Sequence, residues 1–509
     1  MTDPFSMLAA AFASLLNWES LALAAAACLG GLIIGALPGL TATMGLALLT
    51  TMTIHLSPTN AILVLVCTYV LAIYGGSRTA ILLNIPGTPS SAATALDGNV
   101  LARRGMAGQA MGMATMGSAV GTLIGLFLLA LITPPLGEFA LSFGAFEFFW
   151  LALFGVLISG NLSGTDPVKG WIAGILGLLV STIGRETTFG VERFTFGITE
   201  LSGGIMLLPA MVGAFGFAEV LHVMRRKAKE AVVDNSGRTL PRFREFLRYR
   251  WTVLRSGILG TFTGLLPGVG EDVGAWSSYA VAKRFSKTPE EFGKGSLDGL
   301  VAAETGNNAS VPGAMIPVLT LGIPGSGVAA VLMAALIIHG AQPGPLLMVT
   351  SPQLIYDVIA MLVIATFGIL ILGLSLTRAM VLILRAKDVY LMPIIAVLCV
   401  IGPYAIQSRL FDIWVVVAFG VIGYFLRLLN YPMAPLVLGI VLGELLDRNL
   451  RRSFVLADGD WTAFFTRPIS AVVAAIIVLL LLSQIPFLRK GIGALWGRLS
   501  RRTAAKTES

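Results

Sequence analysis

The stretch Asn84-Ile85-Pro86-Gly87-Thr88-Pro89-Ser90-Ser91 places an amide, three hydroxyls and two prolines in eight residues of an otherwise apolar neighbourhood. Proline removes a ladder hydrogen bond and glycine loosens the backbone, so Tyr74 to Gly98 is not expected to run as one helix. The expected restart has Thr88 as N-cap and Pro89 in the first helical position. Inside a bilayer such a helix start is tolerated only against protein or a wet cavity, where its free N–H groups attract anions. Leu321-Gly322-Ile323-Pro324-Gly325-Ser326-Gly327 repeats the Ile-Pro-Gly, with Ser326 in the place of Thr88. These residues suit the binding of a carboxylate between two half-helices. Candidate contacts are Asn84, Gly87, Thr88, Ser90 and Ser91 on one side, and Asn307, Asn308, Ser310, Gly325 and Ser326 on the other. A Ser-rich helix-packing face is the competing reading. Arg78 is the cation nearest the first break, read either as a substrate contact or as a structural partner of Asp97.

Glu271 and Asp272, between Gly270 and Gly274, are adjacent acids in a region of low charge, and Glu304 precedes Asn307 by one helical turn. Carboxylates beside unwound backbone hold Na⁺ or exchange a proton in membrane transporters, so these three are candidates for a coupling cation. Solvated acids in a loop at the membrane face are the alternative. No cofactor and no metal other than Na⁺ is expected. Cys28, Cys67 and Cys399 lie singly in apolar runs, and His55, His222 and His339 form no HExxH or His-plus-acid cluster.

The elements that must position these groups are membrane spans. Charged residues are 12% of the 509, and mean hydropathy is +0.85, the composition of an all-α polytopic membrane protein and not of several soluble domains. The net charge of +8 does not indicate nucleic acid, because the cations cluster at two flanks. Ten Lys or Arg lie between Arg225 and Arg255, and six from Arg489 to the end. Both read as cytoplasmic by the positive-inside rule, while residues 1–77 hold no Lys or Arg and place the N-terminus outside. Phe243, Phe246, Leu247 and Trp251 among arginines suggest a segment lying on the membrane surface. Apolar runs predict about twelve crossings at ~20 residues each, the last of them over Ile469 to Leu488.

Gly35, Pro38, Gly39 and Gly45 align without gaps to Gly264, Pro267, Gly268 and Gly274 at an offset of 229, and the Ile-Pro-Gly marks recur at an offset of 238. Gly/Pro-interrupted segments in corresponding positions of two halves point to the binding site of a secondary transporter. The expected organisation is a first repeat at 1–224, a basic cytoplasmic linker at 225–255, an inverted second repeat at 256–466, and an extra helix with a basic tail at 467–509.

The segments ALPGL, YGGSRTAILLNIPGTPSSAATALDG, LLPGVGEDVGAW, AAETGNNAS and LTLGIPGSG resemble the large membrane subunit of the tripartite tricarboxylate transporters, the TctA family, over essentially the whole chain. The resemblance implies uptake of a tricarboxylate or dicarboxylate across the bacterial inner membrane, driven by a cation gradient. It also implies two partners, a small membrane subunit and a periplasmic substrate-binding protein. Two other classes fit the residues less well. Gly268-Val269-Gly270-Glu271-Asp272 approaches the GxGD of intramembrane aspartyl proteases, but its fourth position is Glu and Tyr356-Asp357 lies on the wrong side of it. Ser326 and His339 are about 20 Å apart along one helix, too far for a protease pair. A passive anion channel is the third class, disfavoured by two duplicated half-sites.

Overall fold

The computed structural model describes residues 3–37, 40–84, 86–162, 166–186, 189–225, 243–266, 270–376 and 388–483. The centre of the basic linker, the basic tail, Ile85 and the Pro-Gly pairs 38–39 and 267–268 lie outside the described residues. The first half holds α1 (Pro4–Leu15), α2 (Trp18–Ala36), α3 (Ala42–Met52), α4 (Pro58–Leu83), α5 (Ser91–Leu101), α6 (Ala107–Ala140), α7 (Ala145–Leu162), α8 (Pro167–Ser181) and α9 (Leu207–Arg225). The second holds α10 (Arg250–Leu265), α11 (Gly270–Phe285), α12 (Leu297–Leu321), α13 (Gly327–Ile338), α14 (Gln353–Ser375), α15 (Asp388–Gln407), α16 (Leu410–Leu428), α17 (Met433–Leu456) and α18 (Pro468–Ser483). Among the described residues the only strands are Gly184–Arg185 and Glu192–Arg193, a short antiparallel hairpin after α8. The protein is an all-α polytopic membrane protein. Six of its described helices are long and apolar enough to cross a membrane, and several shorter apolar ones accompany them.

Residue spacing explains how the short helices run. Ser20 Oγ donates to Asn60 Oδ1 at 2.7 Å, and a Cβ on Gly31 would lie 2.6 Å from the Thr68 carbonyl oxygen. Gly35 sits against the backbone of Ala72 in the same way. Residue number rises together along both helices, so α2 and α4 are parallel. α3 joins the end of one to the start of the other and must run back; at 11 residues it is roughly 16 Å long and does not cross. The second half repeats the arrangement. Thr252 Oγ1 donates to Asp298 at 2.6 Å, and Gly260 and Gly264 press on the backbones of Gly306 and Ser310, which makes α10 parallel to α12 and α11 a returning arm. The glycine contacts of this second set are displaced from those of the first by 229 residues on the hairpin and 238 on the long helix: Gly31–Thr68 and Gly35–Ala72 recur as Gly260–Gly306 and Gly264–Ser310. The two sequence offsets are therefore the registers of one packing motif used twice.

The halves are inverted. Ser77 of α4 meets Glu304 near the start of α12, whereas Tyr69, two turns earlier on α4, meets Ser326 just past the end of α12. α4 and α12 therefore run antiparallel. α4 ends at Asn84 in the left-handed region (φ 57°) and α12 at Gly322 (φ 67°). Asn is the residue other than glycine that tolerates this conformation best. A second group, α7 to α9 and α15 to α18, packs by the same glycine device: Gly177 of α8 meets Leu436 and Gly439 of α17, and Gly213 of α9 meets Val416 of α16. This group touches the first through α3 and α13, where Gly327 borders Thr43, Phe215 and Ala434. α5 and α11, the counterparts of α13 and α3, leave Pro89, Leu96, Asp272 and Trp276 exposed.

The basic loops gather at one end. Asp97, at the end of α5, accepts from the backbone of Gly295 and Ser296 at 2.8 Å each, and Gln109 donates to Glu245. Arg103, Arg104, Arg248, Lys287 and Lys294 therefore share one face, while the Thr53–His339 contact at 3.2 Å marks the other. Phe246 is buried and Phe243 and Trp251 are exposed, as a segment half sunk in an interface requires. Cysteines placed at Ser286 and Gln342 are expected to react with an impermeant maleimide from opposite sides of the membrane, Ser286 only from the cytoplasm; labelling of both from one side would remove the inverted architecture.

Candidate functional site

Four helix starts point inward from the two breaks and the two hairpin tips. α3 begins behind Thr41, whose hydroxyl accepts from Met44 N at 3.2 Å. α13 begins behind Ser326, whose extended backbone (φ −150°) and hydroxyl cap Ala329 N at 3.1 Å. α11 begins at Gly270 (φ 56°), which lies so close to Ser326 that a side chain there would strike the Ser326 Cβ. The start of α5 differs from the expectation: its regular helix opens at Ser91, and Ser90 is the N-cap. Thr88 closes a tight turn before it, accepting from Ser91 N at 3.3 Å. Pro89 lies inside that turn and not in the first helical position. The turn forms because Ser91 Oγ accepts from Thr88 N at 3.1 Å and donates to Thr88 O at 2.7 Å, a local alternative to the helical ladder that Ser and Thr offer readily.

The structure brings Ser326, Glu271 and Asp272 together with this turn. Tyr69 OH donates to Glu271 Oε1 at 3.1 Å and lies 3.2 Å from Ser326 Oγ, which itself reaches Glu271 Oε1 at 3.4 Å. Asp272, the next residue, faces the backbone N–H of Ser90. One turn of α11 thus spans both breaks. Neither acid belongs to a loop: both stand in the first turn of a helix, where the positive end of the dipole favours them. Gly87 and Gly325 have the same job in the two halves. Gly87 presses on the Gly35 carbonyl and Gly325 on the Gly264 carbonyl, so each break is seated against its own hairpin tip.

Asn307 and Asn308 are fully buried in the middle of α12. Neither side-chain atom of either amide has a protein hydrogen-bond partner, and Glu271 Oε2 likewise has none. A buried amide without a partner costs about 1–3 kcal/mol, so four such atoms on consecutive residues need a reason other than packing. Ser310 turns its hydroxyl back to Asn307 O at 2.5 Å. Asn84 is exposed at the end of α4, and its left-handed backbone accounts for its residue type without a ligand.

Arg78 and Glu304 lie apart from the breaks. Arg78 is 1% exposed; it donates to Thr115 Oγ1 at 3.1 Å and to the Gly373 carbonyl at 2.6 Å, and lies over the Tyr74 ring. Asp97 is held by Gly295, Ser296 and Tyr279, so of the two readings of Arg78 the pair with Asp97 is replaced by two separate anchors. Glu304 is fully buried in a cage of hydroxyls: Ser77 donates at 2.5 Å, Ser118 at 2.8 Å, and Thr94 completes it. The cage ties α12 to α4, α5 and α6. Tyr69, Ser77, Thr94 and Ser118 were not singled out from the sequence. Tyr69 was findable, since an offset of 238 pairs it with Asn307; the other three are ordinary hydroxyls of apolar helices until the helices are packed.

A cavity of about 440 Å³ lies between α8, α9, α13 and α17, with Met333, Ile337 and Ile440 along its floor and Arg185, Glu444 and Arg448 at its rim. It runs beside the far half of α13, not its capped start. Among the described residues no group of three His, Cys, Asp or Glu could hold a metal ion.

Comparison with known proteins matches the sequence to one family. The model of the tripartite tricarboxylate transporter TctA family matches residues 21–438. An uncharacterised 52.8 kDa protein of the TAR-I ttuC′ 3′ region of Agrobacterium vitis is 38% identical over 491 residues, 96% of this chain and 98% of that protein. An uncharacterised protein of the TAR-II ttuC′ 3′ region of the same organism is 38% identical over 231 residues, 45% of this chain and 96% of its own length. No solved structure matches.

The Glu304 cage gives a stability prediction. Glu304→Ala removes the shared acceptor of three buried hydroxyls and is expected to cost about 3 kcal/mol, while Glu304→Gln, which keeps one acceptor oxygen, costs less. Thermal unfolding in detergent checks the order; equal midpoints for the parent and the alanine variant would deny the cage a structural role.

Proposed function

The chain belongs to the tripartite tricarboxylate transporter TctA family, and on that premise we propose that it is the large membrane subunit of a secondary active transporter that takes up a carboxylate. Membership makes it a transporter subunit of a multi-pass membrane protein family and not a member of an enzyme family. The finer reading is that a dicarboxylate or tricarboxylate binds between the two breaks, coupled to Na⁺ or protons. A periplasmic binding protein delivers the substrate and a small membrane subunit completes the complex in the bacterial inner membrane. The observation that carries the reading is the convergence of the starts of α5 and α13 on one short segment of α11, with the unpartnered amides of Asn307 and Asn308 in the helix beside it.

Each part suits the chemistry. A carboxylate needs several donors, and helix starts with hydroxyl caps supply them without a buried lysine. Thr88, Ser90 and Ser91 serve at one break and Ser326 at the other, with the Asn307 and Asn308 amides between. Glu271, Asp272 and Glu304 are the acids available to a driving cation, and Arg78 fixes α14 near them through Gly373. The 440 Å³ cavity lies at the face opposite the basic loops, the side from which a periplasmic partner delivers. Inverted repeats around a midplane site are the architecture of alternating access.

Thr88→Ala, Ser326→Ala, Asn307→Ala and Asn308→Ala are each expected to weaken carboxylate binding by about ten-fold, the effect of one lost donor. Ser375→Ala, whose hydroxyl bonds only within α14, serves as the control. Calorimetry on the purified variants measures it, with accumulation against a gradient in proteoliposomes to separate transport from channel flux. Two asparagine variants that gain thermal stability yet keep parental affinity would mark the amides as packing defects and sink the site.

A further inference from the structure

The two helix starts offered to a substrate anion are already faced by acids of the protein itself. Glu271 Oε1 accepts from Tyr69 and from Ser326, the cap of α13, at 3.1 and 3.4 Å. Asp272 faces the N–H of Ser90, the N-cap of α5. Consecutive in sequence, the two acids point to different breaks, so one turn of α11 holds both. The second Glu271 oxygen has no protein partner although the residue is only 4% exposed. A buried carboxylate oxygen left this way is a place for a small cation or a proton.

The repeat shows that the acids are an addition and not part of the duplicated packing. At the offset of 229, Ala42 and Thr43 stand where Glu271 and Asp272 stand, so the α2–α3 hairpin brings no carboxylate to the breaks. Gly270, with its positive φ and its approach to Ser326, fits the acid-bearing turn against the second break. A substrate carboxylate approaching the start of α13 would meet a like charge at hydrogen-bond range of its cap, and one approaching the start of α5 would meet Asp272 on the arm packed against it; like charges that close disfavour co-occupancy.

We propose that Glu271 and Asp272 form a built-in counter-anion: they occupy the anion sites at the starts of α5 and α13, and a substrate carboxylate displaces them when a small cation neutralises the pair. The inference rests on the carboxylate reading above and assigns the acids a sign within it. Cation and substrate are coupled by removal of a competitor, with no need for the cation to touch the substrate. Hairpin α10–α11 then carries the switch, because only its first turn reaches both breaks.

The two roles open to the acids separate cleanly. If they were ligands of a cation that attracts substrate, neutral variants would settle at the parent's weak, cation-free affinity. As competitors, neutral variants settle at its tight, cation-saturated affinity. The test is calorimetry with citrate as the tricarboxylate probe, on the purified full chain at one pH, in sodium-free buffer and in saturating NaCl. Glu271→Gln and Asp272→Asn are expected to bind citrate about ten-fold more tightly than the parent in sodium-free buffer, a usual size for coupling between sites, and to gain less from NaCl. Neutral variants that bind as weakly as the parent, or more weakly, overturn the proposal while leaving the carboxylate site standing. Citrate binding by no form in either buffer overturns both. Should Glu271→Gln fail to fold because an amide NH2 replaces the buried second oxygen, Asp272→Asn, altering an exposed side chain, carries the test alone.

Discussion

Everything in this molecule depends on where a backbone can be left without its ladder. A bilayer offers no hydrogen bonds, so an interrupted helix must have its ends met by protein or by a wet space. Here the interruptions are concentrated instead of scattered. Each break is seated on its own hairpin tip through a glycine, Gly87 on Gly35 and Gly325 on Gly264, and the hydroxyls of Thr41, Thr88 and Ser326 take up N–H groups of the helices that follow. Buried polar groups remain beside them, Asn307 and Asn308 on α12 and Glu271 on α11. A protein that only had to span a membrane would have no use for such an arrangement.

The legible part of the fold was the part written in glycine and proline. The offsets of 229 and 238 are visible without coordinates because close backbone contacts exclude every side chain, and the same residue type must recur wherever the contact does. The cap at Ser326 was readable for a related reason, since a hydroxyl next to Pro-Gly has few other roles, whereas Thr88, expected as an N-cap, forms a turn before the helix. The failures came from side chains whose partners lie far away in sequence. For Arg78 the chain offers either a substrate contact or Asp97 as partner, yet its donors go to Thr115 and Gly373, 37 and 295 residues away. The Glu304 cage draws Ser77, Thr94 and Ser118 from three helices, and no local pattern announces it. For Asn84 one backbone angle suffices to account for the residue type.

The three acids Glu271, Asp272 and Glu304 divide by their surroundings. Glu304 is enclosed and has several donors, so it binds helices together. Glu271 is enclosed and only half satisfied, while Asp272 keeps an open side. Equal charge thus has unequal freedom, and the freedom lies on the returning arm of a hairpin, which the chain continues beyond in both directions. Arg78 adds a fixed positive charge close to Glu304, tied by a short bond to a carbonyl of α14.

Backbone-on-backbone contact has a mechanical meaning as well. Side chains can change rotamer and slide past one another, but a glycine seated against a carbonyl has no spare conformation to give. α2 with α4, and α10 with α12, are therefore splints: each pair travels as one piece or not at all. The junction to α9, α15 and α17 is different, for there Gly327 meets the Phe215 ring and the Ala434 methyl, and Gly402 meets the Thr51 side chain. Side-chain contacts of this kind leave that junction freer to slide than either splinted pair, so the molecule is stiff within each pair and softer between its two groups of helices.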